Sequence, residues 1–134
     1  MSSQENVELA RRGYAAFTAN DPAGVLGFLD PDIEVHDFPE MPDSTVYHGP
    51  EGYLALVGNT LAEFDDFRLE AEEFIPLGDE HVLVLAHQVG RGKGSGAEVE
   101  ARVVHLWRIR NDRAVELHLF GTQEEARAAA GQEE

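Results

Sequence analysis

Cysteine is missing from the 134 residues of this chain. Its absence excludes disulfide bridges, thiolate metal sites and a cysteine nucleophile. It also removes the usual indication of a redox compartment. Any catalytic or metal-binding chemistry must therefore rest on carboxylates, imidazoles and hydroxyls.

Basic residues are scarce, since 10 Lys and Arg stand against 26 Asp and Glu, for a net charge of -16. Nucleic-acid affinity depends on neutralising phosphates with Lys and Arg, so we expect no nucleic-acid partner. Anionic membrane surfaces are disfavoured for the same reason. The acidic residues are spread along the chain, as is typical of a charged, solvated surface.

Long apolar runs are also missing, because none approaches the roughly 20 residues that cross a bilayer. The polar first residues do not resemble a signal peptide, so a cytoplasmic location without membrane contact is the default expectation. With 43% hydrophobic residues the chain can bury one core. We therefore expect a single domain over residues 1–134.

Three helices are predicted in the first half of the chain. Apolar residues recur at helical spacing over about 4–19, with Tyr14 on the apolar face. Asp21 followed by Pro22 is typical of a helix start, and we expect the second helix to stop at Asp30. A short strand over 33–38 and a loop over 39–47 then lead to a third helix, which begins at Gly49.

The second half of the chain changes to a strand-like period. Candidate strands cover about 67–76, 81–91, 97–110 and 113–120, separated by turn residues, and a short helix follows Thr122. Helices followed by consecutive strands with short turns predict an α+β fold: N-terminal helices packed in the concave face of a curved antiparallel sheet. A curved sheet wrapped around helices leaves a cavity, where function is sought.

A two-residue turn at Asn111-Asp112 predicts which side chains of the last two strands share a face. In that register Trp107 pairs with Glu116 and His105 with His118. One interpretation turns this face toward the helices, together with Phe120, because exposed aromatic rings are costly. The alternative leaves it in solvent and covers the other face, which carries four aliphatic residues: Val104, Leu106, Leu117 and Leu119.

Two earlier strands add candidates with unresolved orientation. Leu83, Leu85 and His87 share one face, and the length of the glycine-rich loop decides whether that face is the one carrying His105. On the first strand, alternation prevents His36 and Asp37 from pointing into the same cavity. Only one of these two can act there.

Three segments together resemble a known superfamily: RRGYAAFTANDPAGVLGFLDPDIEVHDF, YHGPEGY and VVHLWRIRNDRAVELHLFGT. The chain resembles the nuclear transport factor 2-like superfamily and its SnoaL-like branch over nearly its whole length. The resemblance implies a cone-shaped fold with a pocket. It does not decide an activity, since the superfamily includes isomerases, cyclases, dehydratases, hydrolases and noncatalytic binding domains.

Matched to the ketosteroid isomerase pattern, Asp37 takes the place of the carboxylate base and Tyr14 that of the oxyanion-hole phenol. His105 stands where that family keeps a protonated aspartic acid as the second donor. A histidine can also donate there, although it departs from the ketosteroid isomerase pattern at this position.

The resulting hypothesis is cofactor-independent isomerisation, cyclisation or dehydration of a small hydrophobic carbonyl compound. Asp37 would be the base, Tyr14 an oxyanion donor, and His105 or His118 a second donor or proton shuttle. The predicted substrate-binding residues are Phe28, Leu83, Leu85, His87, Trp107, Glu116 and Phe120. The alternative is a noncatalytic ligand-binding or dimerisation domain.

Two further readings stay open at this point. His87, His105 and His118 with Glu116 or Asp37 could bind zinc or iron, although they form no recognised short motif and we expect no metal. The aliphatic strip of Val104, Leu106, Leu117 and Leu119 would suit a homodimer through the sheet.

Overall fold

The computed structural model describes residues 3–39 and 46–131. Helices α1 to α4 span Ser3–Thr18, Pro22–Phe28, Gly49–Glu63 and Gln123–Gly131. Strands β1 to β6 span Leu29–His36, Val46–His48, Phe64–Leu77, His81–Gly92, Glu98–Arg110 and Arg113–Phe120. The predicted helices and last four strands are confirmed to within a few residues, while most of the predicted loop over 39–47 lies outside the described residues. No helix in these two ranges is long and apolar enough to cross a membrane.

Local chemistry accounts for the start of α2 but not for its end. Asp21 is the N-cap residue, and its Oδ1 accepts a hydrogen bond from the Gly24 amide at 3.2 Å. Such a cap satisfies a helix N–H that has no partner within the helix. The helix stops at Phe28, and the expected stop signal at Asp30 lies within β1 instead.

The six strands form one open sheet in the order β2-β1-β6-β5-β4-β3. The run from β3 to β6 is the expected antiparallel meander. β1 pairs with β6 in parallel, with Val35 opposite Leu117, and with β2 in antiparallel fashion. The intervening α3 and strands make this parallel crossover possible.

One extra residue in β6 determines which face of the sheet each side chain in the second half of the strand lies on. Asn111 and Asp112 both have positive φ, as a two-residue hairpin turn requires, so the predicted turn is confirmed. Beyond it the pairing shifts, because Ile109 lies opposite Ala114 and Arg108 opposite Glu116. Val115 is therefore a β-bulge residue, and every later pair differs from the expected register by one position.

The two faces of the sheet pack into separate cores. The inner face, which carries Val84, Trp107 and Leu117, packs against α1 and α2. The outer face, which carries Leu83, Leu106 and Phe120, is covered in part by Ala126 and Ala130 of α4. The fold is thus α+β, with its N-terminal helices on the inner face and its C-terminal helix on the outer one.

Candidate ligand-binding cavity

A partly open cavity of about 120 Å³ lies between the inner face of the sheet and helices α1, α2 and α3. Most of its lining is aliphatic or aromatic. The lining residues are Gly13, Tyr14, Phe17, Val25, Phe28, Leu29, Phe38, Tyr53, Leu56, Val57, Thr60, Phe67, Leu69, Gln88, His105, Trp107, Leu117 and Leu119. A closed apolar cavity of about 150 Å³ can hold benzene, so this space suits a ligand of about one ring.

Helix α1 can approach Phe28 because position 13 is glycine. A Cβ atom at Gly13 would lie 2.7 Å from the Phe28 ring, closer than side chains tolerate. Phe28 in turn packs on Trp107, with ring centroids 5.1 Å apart. Gly13 therefore allows the aromatic wall to form at this end of the cavity.

A hydrogen-bonded chain of three side chains crosses the cavity wall. The Trp107 indole Nε1 donates to the Tyr14 hydroxyl at 2.7 Å. The same hydroxyl lies 2.5 Å from His105 Nδ1. Tyr14 belongs to α1 and the other two to β5, so these bonds connect helix and sheet.

Burial changes the acidity of the three titratable side chains that line the cavity. It raises the pKa of Tyr14 well above 10 and that of Tyr53 to about 12, so both phenols keep their protons at neutral pH. It lowers the pKa of His105 to about 4, because the charged imidazolium loses solvation. The cavity therefore presents neutral groups, and no carboxylate lines it among the described residues.

The structure brings four of the predicted site residues together. Tyr14, His105, Trp107 and Phe28 all line the cavity. The prediction that Trp107 faces the helices is confirmed, since the indole is 3% exposed and belongs to the inner core. The roles proposed for these residues stay predictions.

Three other predicted residues lie on the outer face, so their predicted placement was wrong. Glu116 lies opposite Arg108 and His118 opposite Leu106, and Phe120 packs beneath α4. The bulge at Val115 causes the difference. The observed register keeps the Glu116 carboxylate out of the apolar core, where an ionised group is very costly, and places it 3.1 Å from the Arg108 guanidinium.

The candidates on β4 lie on the outer face as well. His105 is opposite Val84, whereas His87 is opposite Arg102 and Leu85 opposite Val104. Because side chains alternate along a strand, Leu83, Leu85 and His87 all point away from the cavity. The predicted contribution of these three residues to the pocket was therefore wrong.

Asp37 lies beside the cavity but not in its lining. It follows the last residue of β1, and its Oδ1 accepts a hydrogen bond from the Phe38 amide at 2.8 Å. The next residue, Phe38, lines the cavity instead. A catalytic role for Asp37 stays a prediction.

The alternative of a metal site built on three histidines fails on topology. His105 lies on the inner face, whereas His87 and His118 lie on the outer face. On that outer face His118 stacks on His36 with ring centroids 4.1 Å apart. Across the described ranges, no group of three His, Asp or Glu side chains is arranged to hold a metal ion.

The aliphatic strip expected to support a homodimer does not exist as one surface. Leu117 and Leu119 line the cavity, and Val104 and Leu106 belong to the core beneath α4. The register shift at Val115 again explains the difference. These four residues therefore do not form the shared dimer surface that the sequence predicted.

Sequence comparison identifies the family. The model of the SnoaL-like domain matches residues 10–117, from the middle of α1 to the middle of β6. The chain belongs to the SnoaL-like domain family. No curated protein matches this SnoaL-like domain in sequence.

Solved structures resemble this SnoaL-like domain along nearly its whole length, and some of them are nuclear transport factor 2-like proteins. A protein of unknown function from Burkholderia pseudomallei is 29% identical, with a TM-score of 0.74 and coverage of 93% of this chain and 95% of that one. TerC, co-crystallised with polyporic acid, is 23% identical, with a TM-score of 0.74 and 96% of each chain covered. A Mycobacterium tuberculosis protein in complex with estradiol-17beta-hemisuccinate is 16% identical, with a TM-score of 0.72 and coverage of 90% and 95%.

Several lining residues of this SnoaL-like domain were missed as site candidates. Tyr53, Thr60 and Gln88 add polar groups, and Leu117 and Leu119 add apolar walls. The helical spacing of α3 already places Tyr53 on its apolar side, which was the available signal. Gln88 lies on the same face of β4 as Val84, and His87 lies on the opposite face.

Proposed function

We propose that this SnoaL-like domain binds a small, neutral, mostly apolar ligand of about one ring in the cavity against Trp107. The cavity itself is the observation that carries the proposal: an apolar enclosure with few polar groups that fix orientation is the usual form of a small-molecule site. The net charge of -16 disfavours anionic ligands through long-range repulsion. Similar solved structures that contain small organic ligands, polyporic acid and estradiol-17beta-hemisuccinate, support small-molecule binding but not this ligand size or charge.

Binding can be followed by intrinsic fluorescence, because Trp107 is the only tryptophan and lines the cavity. We expect a saturable change in emission on titration with toluene, a single-ring apolar probe. Val57→Phe on α3 fills part of the cavity and is expected to weaken binding at least about tenfold, the cost of losing roughly 1.4 kcal/mol of contact.

Leu61→Phe is the matched control for that variant. Leu61 lies on the same helix but is 43% exposed and does not line the cavity. It should leave the affinity within about twofold, as expected of a surface change. Equal losses in the two variants, or emission that never saturates, would remove the proposed binding site.

General acid–base catalysis on a carbonyl compound, without a cofactor, is the second candidate. The adjacency of Asp37 to Phe38, which lines the cavity, favours it. A base that removes a proton next to a carbonyl would speed deuterium uptake at the methyl group of acetophenone in D2O. We expect Asp37→Asn to abolish that acceleration while leaving affinity unchanged, and the exposed Asp66→Asn to have no effect. Exchange at the uncatalysed rate in the wild type would leave binding as the function.

A further inference from the structure

The hydrogen bonds around Tyr14 have one arrangement that gives a partner to each of the three groups that meet at its hydroxyl. The indole nitrogen of Trp107 is a donor and never an acceptor, so it must use a lone pair of the Tyr14 oxygen. The Tyr14 proton then needs an acceptor of its own. Among the residues described, His105 Nδ1 is the only other atom that the structure places within hydrogen-bond distance of that hydroxyl.

The opposite arrangement is costly. If His105 Nδ1 carried a proton and donated to Tyr14, the phenol proton and the Nε2 lone pair would both lack a partner among the described residues, whereas the first arrangement leaves only the Nε2 proton unpaired. Proton transfer from Tyr14 to His105 is also disfavoured, since burial raises the pKa of the phenol and lowers that of the imidazole. Tyr14 therefore donates, and Nδ1 accepts.

We propose that Trp107 and Tyr14 hold His105 in the tautomer protonated on Nε2, so that the cavity selects neutral ligands bearing a hydrogen-bond acceptor such as a carbonyl oxygen. A neutral imidazole has one proton, and when Nδ1 accepts, that proton must be on Nε2. Within 3–39 and 46–131, Nε2 of His105 has no hydrogen-bond partner, although His105 lines the cavity. A ligand atom that meets it must accept.

This assignment changes the role expected of Tyr14. The ketosteroid isomerase resemblance implies that its phenol donates to the ligand, but here the phenol proton is used on His105. Tyr14 is thus a positioning residue, and His105 is the group that contacts the ligand. Trp107 is a positioning residue as well, because its N–H decides the direction of the Tyr14 proton.

The tautomer is tested without any ligand, by long-range proton–nitrogen NMR of the 15N-labelled protein at neutral pH. We expect His105 to show the pattern of a ring protonated on Nε2 alone. Tyr14→Phe and Trp107→Phe each remove one hydrogen bond while keeping an aromatic ring, and both should shift His105 toward a mixture of tautomers. A wild-type ring protonated on Nδ1, or spectra unchanged in both variants, would overturn the assignment.

The selectivity rests on the proposed function, and it is tested with two compounds of the same shape. Acetophenone carries a carbonyl oxygen where α-methylstyrene carries a methylene group. Calorimetry should show that the wild type prefers acetophenone by about fivefold, the effect of one net hydrogen bond. The preference should disappear in His105→Leu and fall to about twofold or less in Tyr14→Phe.

The outcomes separate the two proposals. If both compounds bind the wild type equally, the selectivity is overturned while the binding function stands. If neither compound binds, the proposed function fails and the selectivity fails with it, and the tautomer is still decided by the NMR spectrum. Circular dichroism melts of each variant show whether a loss of preference comes from unfolding.

Discussion

Lowering the pH from about 6.5 to about 4 is expected to cost the fold about 2 kcal/mol of stability through His105 alone. The unfolded chain takes up a proton on this imidazole near pH 6.5, whereas the folded chain resists until about pH 4. The unfolded state binds more protons in this window, so stability falls as pH falls. The full difference in pKa corresponds to roughly 3 kcal/mol, and water entering the open cavity reduces it.

His105→Gln is the variant that isolates this effect, since glutamine does not titrate and can still donate a hydrogen bond. The free energy of unfolding, measured by urea titration at several pH values, should fall more steeply in the wild type than in His105→Gln between pH 6.5 and 4. Parallel curves for the two proteins would show that folding leaves the pKa of His105 unshifted and would contradict this prediction.

The carboxylates contribute in a lower window, which keeps the two effects apart. Burial alone would raise the pKa of Glu116, but hydrogen bonds from His118 and Arg108 outweigh it and hold the pKa below 4.5. Burial also raises the pKa of Glu80, but hydrogen bonds from Arg110 and Arg108 outweigh this effect and lower that pKa. Both carboxylates therefore stabilise the fold above about pH 4.5 and lose that contribution as pH falls further. His105 should dominate above that point.

The elements of this fold were predictable because their signals are local. Asp21 with Pro22 indicates a helix start, and Asn111-Asp112 indicates a tight turn; each depends on residues a few positions apart. The change from helical to alternating period near residue 67 likewise needs no knowledge of the tertiary structure. Element order and approximate bounds followed from these signals alone.

The cavity lining was only partly predictable, because the register of β6 depends on a bulge that the turn does not determine. Assuming a regular hairpin placed Glu116 and His118 inside. The alternation of Glu116, Leu117, His118 and Leu119 was a signal for the opposite facing, since the leucines are the residues that gain from burial. The hairpin turn alone favours the regular register, which would bury Glu116. The energetic cost of a buried carboxylate favours the bulged register that the structure shows.

The contact between Tyr14, Trp107 and His105 could not be derived from sequence spacing. Tyr14 lies 91 and 93 positions from the other two, and only the packing of α1 on β5 brings the hydroxyl between them. The direction of the two hydrogen bonds follows from donor chemistry once the contact is known. Both the contact and the proposed positioning role of Tyr14 therefore depend on the tertiary packing.

The register of β6 itself predicts opposite results for two neighbouring substitutions. Leu117→Ala should destabilise the protein by about 3 kcal/mol, because it removes a buried side chain that packs in the inner core and lines the cavity. His118→Ala should cost less than about 1 kcal/mol, because it removes a partly exposed ring and one hydrogen bond to Glu116 on the outer face.

Urea titration at neutral pH compares these two variants with the wild type. A hairpin without the bulge at Val115 would place His118 inside and Leu117 outside, and the order of the two losses would be reversed. Because the substitutions are adjacent in the same strand, differences in strand propensity or distance from the turn cannot account for such a contrast. A smaller loss for Leu117→Ala than for His118→Ala would therefore contradict the register, and with it the apolar wall of Leu117 and Leu119 on which the cavity depends.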